Sequence, residues 1–128
     1  QVQEQVDVAS GVETIVGTNR DPQFGPLVLF GLGGVFVEVM EDTTVRLAPV
    51  TGAEAREMID EIRAAPLLRG ARGREPVDEA SVVDTVQRLS QLVTDFPAIV
   101  ELDINPLVAT PDGVQAVDLR LTLDQEEL

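Results

Sequence analysis

The chain has 128 residues, enough for one hydrophobic core and too short for two. It carries 23 acidic side chains against nine basic ones, all arginine, and the resulting charge of −14 disfavours nucleic acid as a partner because phosphates are repelled. Cysteine and histidine are absent, which removes disulfides, thiolate nucleophiles and imidazole bases or ligands, and leaves carboxylates, arginine, amides and the main chain for any chemistry.

No run approaches the roughly 18 apolar residues of a membrane span, and no charged-then-apolar leader precedes the first strand, so the expectation is a soluble, cytoplasmic protein with no membrane partner. The chain opens at Gln1 inside an alternating segment, "QVQEQV", and reads as a piece of something longer. A lysine-free acidic surface resembles that of halophilic proteins. A G+C-rich genome that replaces lysine with arginine accounts for it equally well.

In chain order, apolar runs bounded by turn residues predict strands at about 12–18 ("VETIVGT"), 26–31 ("PLVLFG"), 35–40 ("VFVEVM") and 43–48 ("TTVRLA"), arranged as an antiparallel meander. The element "FGLGG" between two of them contains Gly31, Gly33 and Gly34, whose bare backbone permits a turn or a close approach to phosphate or a neighbouring loop. It is not a Walker A sequence, because no Lys-Ser/Thr follows. From Thr51 the period changes. Thr51 with Glu54 makes a capping box, and Ala55, Met58, Ile59 and Ile62 fall on one helical stripe, ending near Ala64 because Pro66 disfavours helix in the residue before it. A polar loop, "LLRGARGREPV", then concentrates Arg69, Arg72 and Arg74. That cluster suits a phosphate, CoA or subunit contact, and suits equally the balancing of nearby acid. A second helix takes Asp78 as N-cap and runs to about Asp95, with Val82, Val86, Leu89, Val93 and Phe96 on one stripe. Two strands, "AIVELDIN" and "VQAVDLRLTL", close the chain around "TPDG", and the tail "DQEEL" is expected to fray.

The last hairpin carries the most informative pattern. Val100, Leu102 and Ile104 share one face of its first strand while Glu101, Asp103 and Asn105 share the other; Val117, Leu119 and Leu121 are the apolar set of the second. Placing both apolar sets on one face requires Ile104 opposite Leu119, hence Asn105 opposite Asp118 and Asp103 opposite Arg120. A carboxylate beside an amide oxygen suits a hard cation, and two or so protein oxygens is the set Mg²⁺ uses when phosphates and water complete its shell. A polar face on a strand is also, most often, plain solvated surface, and the residues alone leave both readings open.

"ELDINPL" followed by "DGVQAVDLRL" resembles the metal-binding end of the ATP-grasp domain in ADP-forming acyl-CoA synthetases, relatives of the succinyl-CoA synthetase β-subunit. "GVETIVGTNRDPQFGPLVLFGLGGVFVEV", "RLAPVT", "PLLRGARGR" and "LSQLVTDFP" occur in the same order as in that family, so the resemblance covers nearly the whole chain. It implies an α+β fold, an antiparallel β-sheet with two helices forming the C-terminal subdomain of an ATP-grasp unit. Residues 1–8 would be the strand joining the two lobes, 9–123 the lobe itself and 124–128 a tail.

The same resemblance implies Mg²⁺ and ATP/ADP as cofactors. Asn105 and Asp118 would hold the metal against the nucleotide phosphates. Asp103, where relatives have an acidic residue, would bind metal through water or anchor Arg120. Arg120 would face phosphate, or simply pair with Asp103. Gln3, Glu4, Gln5 and Val6 match the strand whose backbone contacts adenine, and Glu13 matches a glutamate beside the nucleotide, although a strand edge and a surface charge explain these residues as well. The phosphate-covering lobe, the CoA-binding and ligase parts and the phosphohistidine would lie elsewhere, as domains or a second subunit. The implied reaction converts acyl-CoA, ADP and phosphate to acid, CoA and ATP through acyl-phosphate and phosphohistidine intermediates. The alternative is a non-catalytic, regulatory ATP-grasp-like region attached to a protein acetyltransferase.

Overall fold

The computed structural model describes residues 11–33, 42–70, 73 and 75–124. In chain order these form β1 (Val12–Asp21), β2 (Gly25–Leu32), β3 (Thr43–Leu47), α1 (Gly52–Glu61), the short α2 (Ala65–Leu68), α3 (Glu79–Asp95), β4 (Ile99–Thr110), β5 (Gly113–Ala116) and β6 (Leu119–Leu123). The strands make one antiparallel sheet in the order β3-β2-β1-β4, and β5 and β6 share the far edge of β4. This is the expected α+β architecture, with one correction. Of the predicted meander, the run at 43–48 pairs directly with β2, Leu27 opposite Leu47, while the run at 35–40 lies outside the described residues.

The helices cover one face of the sheet, and period-2 alternation decides what they bury. Thr14, Val16 and Thr18 of β1 and Val28 and Phe30 of β2 point into the helical layer and are buried. They meet Ala55, Met58, Ile59 and Ile62 of the first helical segment and Val82, Val86, Leu89 and Val93 of α3. The two buried threonines need partners inside: Thr14 Oγ1 donates to the Leu107 carbonyl at 2.7 Å, and Thr18 Oγ1 to that of Leu102 at 3.2 Å.

Both predicted helix starts are present. Thr51 accepts from the Glu54 N–H at 3.1 Å and Glu54 Oε1 returns the bond to the Thr51 N–H at 2.9 Å; Asp78 accepts from the Ser81 N–H at 3.2 Å. The helix ends differ from expectation. α1 stops at Glu61 and Ile62 is already extended, because the buried carboxylate of Asp42 captures the N–H groups of Arg63 and Ala64 at 2.6 and 2.8 Å. Pro66 does not end a helix but opens one, sitting in the first turn of α2, where the missing N–H costs nothing. Phe96 leaves the α3 stripe and is 55% exposed, since the chain has turned out of the helix there.

A single arginine ties three elements together. From the end of β1, Arg20 donates through Nε to the Ile99 carbonyl at 2.8 Å and through Nη2 to the carbonyls of Val93 and, at 3.0 Å, Phe96. It thereby caps the last turn of α3 with positive charge, where the helix dipole favours it, and fixes the entry into β4. Among the described residues no helix is long and apolar enough to cross a membrane.

Candidate functional site

The sheet face turned away from the helices is open. Ile15, Gly17 and Asn19 of β1, Leu27 and Leu29 of β2, Val45 of β3 and Glu101, Asp103 and Asn105 of β4 line a concavity there of about 330 Å³. Its floor is apolar on the β2–β3 side and polar on the β4 side, and each contribution follows from the alternation that sends the intervening residues into the core.

The hairpin register matches the expectation. Ile104 lies opposite Leu119, Asp103 opposite Arg120, and the Asn105 N–H donates to the Asp118 carbonyl at 3.0 Å. The two-residue loop between Thr110 and Gly113 sets this register from the start of the hairpin and keeps it as far as Glu101. Burial of both apolar sets does not. Leu119, Leu121 and Val117 are half-exposed at 55%, 50% and 57%, because the helices pack against β1, β2 and β4 and stop short of β6. A bulge at Val100 exposes that residue too and turns Ile99 inward in its place. A second irregularity sets Asn105 and Pro106, joined by a cis peptide bond, against the single residue Ile15 of β1.

Asn105, Asp118 and Glu101 are exposed, and Asp103 is half-buried against β1. Burial pushes the Asp103 carboxyl above its ordinary range, and the nearby charge of Glu101 adds to the shift, while the Thr18 backbone N–H and Arg120 oppose it. Of the two roles open to Arg120, the ion pair with Asp103 is not formed: its Nε lies 4.0 Å from Asp118 Oδ2, with both side chains in solvent. Among the described residues no three Asp, Glu, His or Cys side chains gather as a metal cage. One carboxylate and one amide oxygen, adjacent in register, with a second carboxylate nearby, fit Mg²⁺ bound jointly with phosphates better than calcium, which needs more protein oxygens.

Other sequence candidates separate from the cleft. Glu13 is exposed on β1, opposite Val108 and outside the cleft lining. Gly31 and Gly33 serve neighbouring backbone: a Cβ on Gly33 would stand 2.7 Å from the Thr14 carbonyl, and one on Gly31 2.4 Å from that of Asp42. Arg69 is engaged structurally, donating in a fork to Glu79 at 3.0 and 3.1 Å and lying 2.6 Å from Asp60, contacts that hold its guanidinium more firmly protonated. Gly34, Arg72, Arg74 and the segment with Gln3, Glu4, Gln5 and Val6 lie outside the described residues. Two residues of consequence escaped the sequence reading: Arg20, whose partners are more than 70 positions away, and Gly17, whose signal is a lone glycine inside a strand pattern.

Comparison with known proteins gives these positions a context. The ATP-grasp domain family matches residues 1–123. Acetate–CoA ligase (ADP-forming) I of Archaeoglobus fulgidus is 46% identical over 98% of this chain, which spans 18% of that protein. The β subunit of acetate–CoA ligase (ADP-forming) I from Pyrococcus furiosus is 50% identical, with 88% of this chain aligned to 49% of the subunit. Among solved structures, the dinucleotide-forming acetyl-CoA synthetase 1 of Ca. Korarchaeum cryptofilum, in complex with coenzyme A and Mg-AMPPCP, superposes with a TM-score of 0.86 at 48% identity, covering 88% of this chain and 53% of that one. The chain thus spans about half the length of some relatives and less than a fifth of others. With this fold and a family match running from residue 1 to residue 123, the chain belongs to the ATP-grasp domain family.

Proposed function

We propose that this chain is the nucleotide- and Mg²⁺-binding lobe of an ADP-forming acyl-CoA synthetase, which converts acyl-CoA, ADP and phosphate to acid, CoA and ATP together with the rest of the ATP-grasp domain and the CoA-binding and ligase parts. The observation that carries the reading is the placement of Asn105 at the polar end of the open cleft with Asp118 directly opposite it across the hairpin, the Asn105 N–H donating to the Asp118 carbonyl. It is supported by relatives of 46% and 50% identity that are ADP-forming acetate–CoA ligases.

In this reading the Asn105 amide oxygen and the Asp118 carboxylate hold Mg²⁺. Asp103, set back against β1, accepts from water at the metal, and Arg120 steadies Asp118 while offering positive charge to phosphate. The apolar floor of Ile15, Leu27, Leu29 and Val45 gives the nucleotide a dry seat, and the backbone of Gln3, Glu4, Gln5 and Val6 contacts adenine. Glu13, on the same face of β1 but outside the cleft lining, would meet the nucleotide only from beyond that end of the cleft. Bound there by Asn105 and Asp118, Mg²⁺ would supply positive charge to offset that of the nucleotide phosphates.

Asp118→Asn in the complete enzyme tests this. The change is nearly isosteric, so the hairpin should persist while one negative charge leaves the site. Turnover should fall on the order of a hundredfold, with partial recovery at high Mg²⁺. Asn105→Ala should act similarly, and Glu101→Gln should cost no more than a few-fold. Unchanged turnover and Mg²⁺ dependence in Asp118→Asn would return the polar face of β4 to ordinary solvated strand.

A further inference from the structure

We infer that Gly17 is a positioning residue for Asp103: the missing side chain at this cross-strand neighbour lets the Asp103 carboxylate lie across β1 in the cleft instead of reaching into solvent. The inference rests on the reading of the cleft as a Mg²⁺–nucleotide site. Gly17 and Asp103 are direct partners in the β1·β4 register. A Cβ on Gly17 would stand 2.7 Å from Asp103 Oδ1, closer than non-bonded carbon and oxygen settle, so the two cannot share the space.

The backbone gives no other reason for glycine here. Gly17 sits inside β1 and is not among the glycines with positive φ, which are Gly25, Gly70, Gly73 and Gly113 among the described residues. A glycine within a strand weakens it and marks a place where something approaches closely. What approaches Gly17 is a side chain from the polar set of β4, and Ile15 and Asn19 flank it on the same face. On its other side Asp103 faces Arg120, which turns to Asp118 and leaves the carboxylate to β1.

The test compares the full-length protein with Gly17→Ala, Asp103→Ala and the double variant. Crystal structures report the position of the Asp103 carboxylate, and titrations with ADP report the Mg²⁺ concentration needed for half-maximal binding. In Gly17→Ala the carboxylate should be turned off β1 and the Mg²⁺ requirement should rise on the order of tenfold, as when an outer-shell partner is lost. Asp103→Ala should show a similar rise, and adding Gly17→Ala to it should change nothing further. If Gly17→Ala fails to fold, the double variant, relieved of the crowding, should fold. An unmoved carboxylate, an equal additional loss in the Asp103→Ala background, or failure of both Gly17→Ala proteins to fold overturns the inference. A wild-type protein that binds ADP without regard to Mg²⁺ instead overturns the functional reading, and the crystal structure of Gly17→Ala still decides whether Gly17 places the carboxylate.

Discussion

Replacing Arg20 by methionine keeps the aliphatic stem and removes the guanidinium that joins β1 to the end of α3 and the start of β4. Three bonds to carbonyl oxygens are lost. A hydrogen bond from a charged donor contributes about 1.5–3 kcal/mol when sheltered, and a cation at a helix C-terminus about 0.3–1 kcal/mol. Arg20 is only partly buried, so water can replace part of what it gives, and the full sum does not apply. A loss of about 2 kcal/mol is the expected outcome, which for a domain of this size lowers Tm by roughly 8 °C. Urea denaturation followed by circular dichroism measures it. Arg20→Lys keeps the charge but offers a point donor in place of a planar fork, and should recover less than half of the loss. Arg20→Met within about 0.5 kcal/mol of wild type would refute the reasoning, because surface changes that touch nothing fall in that range.

Two further outcomes follow from the charges. The Arg69 fork holds the Glu79 carboxyl below its ordinary value of 4.5, so the folded state binds that proton less readily than the unfolded one; stability from this pair is present above about pH 4.5 and lost as pH falls through the lowered value. The stability gap between wild type and Glu79→Gln should therefore shrink on acidification below about pH 4.5, and a gap independent of pH would show that the pair adds nothing. A net charge of −14 should make the fold gain Tm between dilute buffer and molar KCl, where screening shortens charge repulsion to about 3 Å. Equal melting temperatures would leave genome composition as the reason for an all-arginine cation set.

What the sequence made legible is what is decided within a few residues. The Thr51–Glu54 box, the Asp78 cap and the stripes of α1 and α3 depend on spacings of three and four, and all are present apart from Ile62, which is buried but already extended, and Phe96, which is exposed. The last hairpin could be paired from its apolar pattern, Ile104 with Leu119, and the two-residue loop between Thr110 and Gly113 carries the same register down to Asn105 and Asp118. The apolar pattern matches the register although Leu119 and Leu121 stay half-exposed on β6. Alternation assigns a face to each residue but does not say whether a helix covers that face.

What stayed hidden depends on partners far away in the chain. Nothing near Ile62 announces that Asp42, 21 positions upstream of Arg63, will keep α1 from continuing by accepting from the N–H groups of Arg63 and Ala64. Nothing near Arg20 announces three carbonyls more than 70 positions on. The candidate site divides the same way. Its donors, Asn105 and Asp118, belong to one hairpin and could be paired from the pattern, whereas the placement of Asp103 depends on β1, which reaches it from 86 positions upstream. A carboxylate half-buried beside Glu101, with a pKa pushed up, is held against its own electrostatic preference by the strands around it.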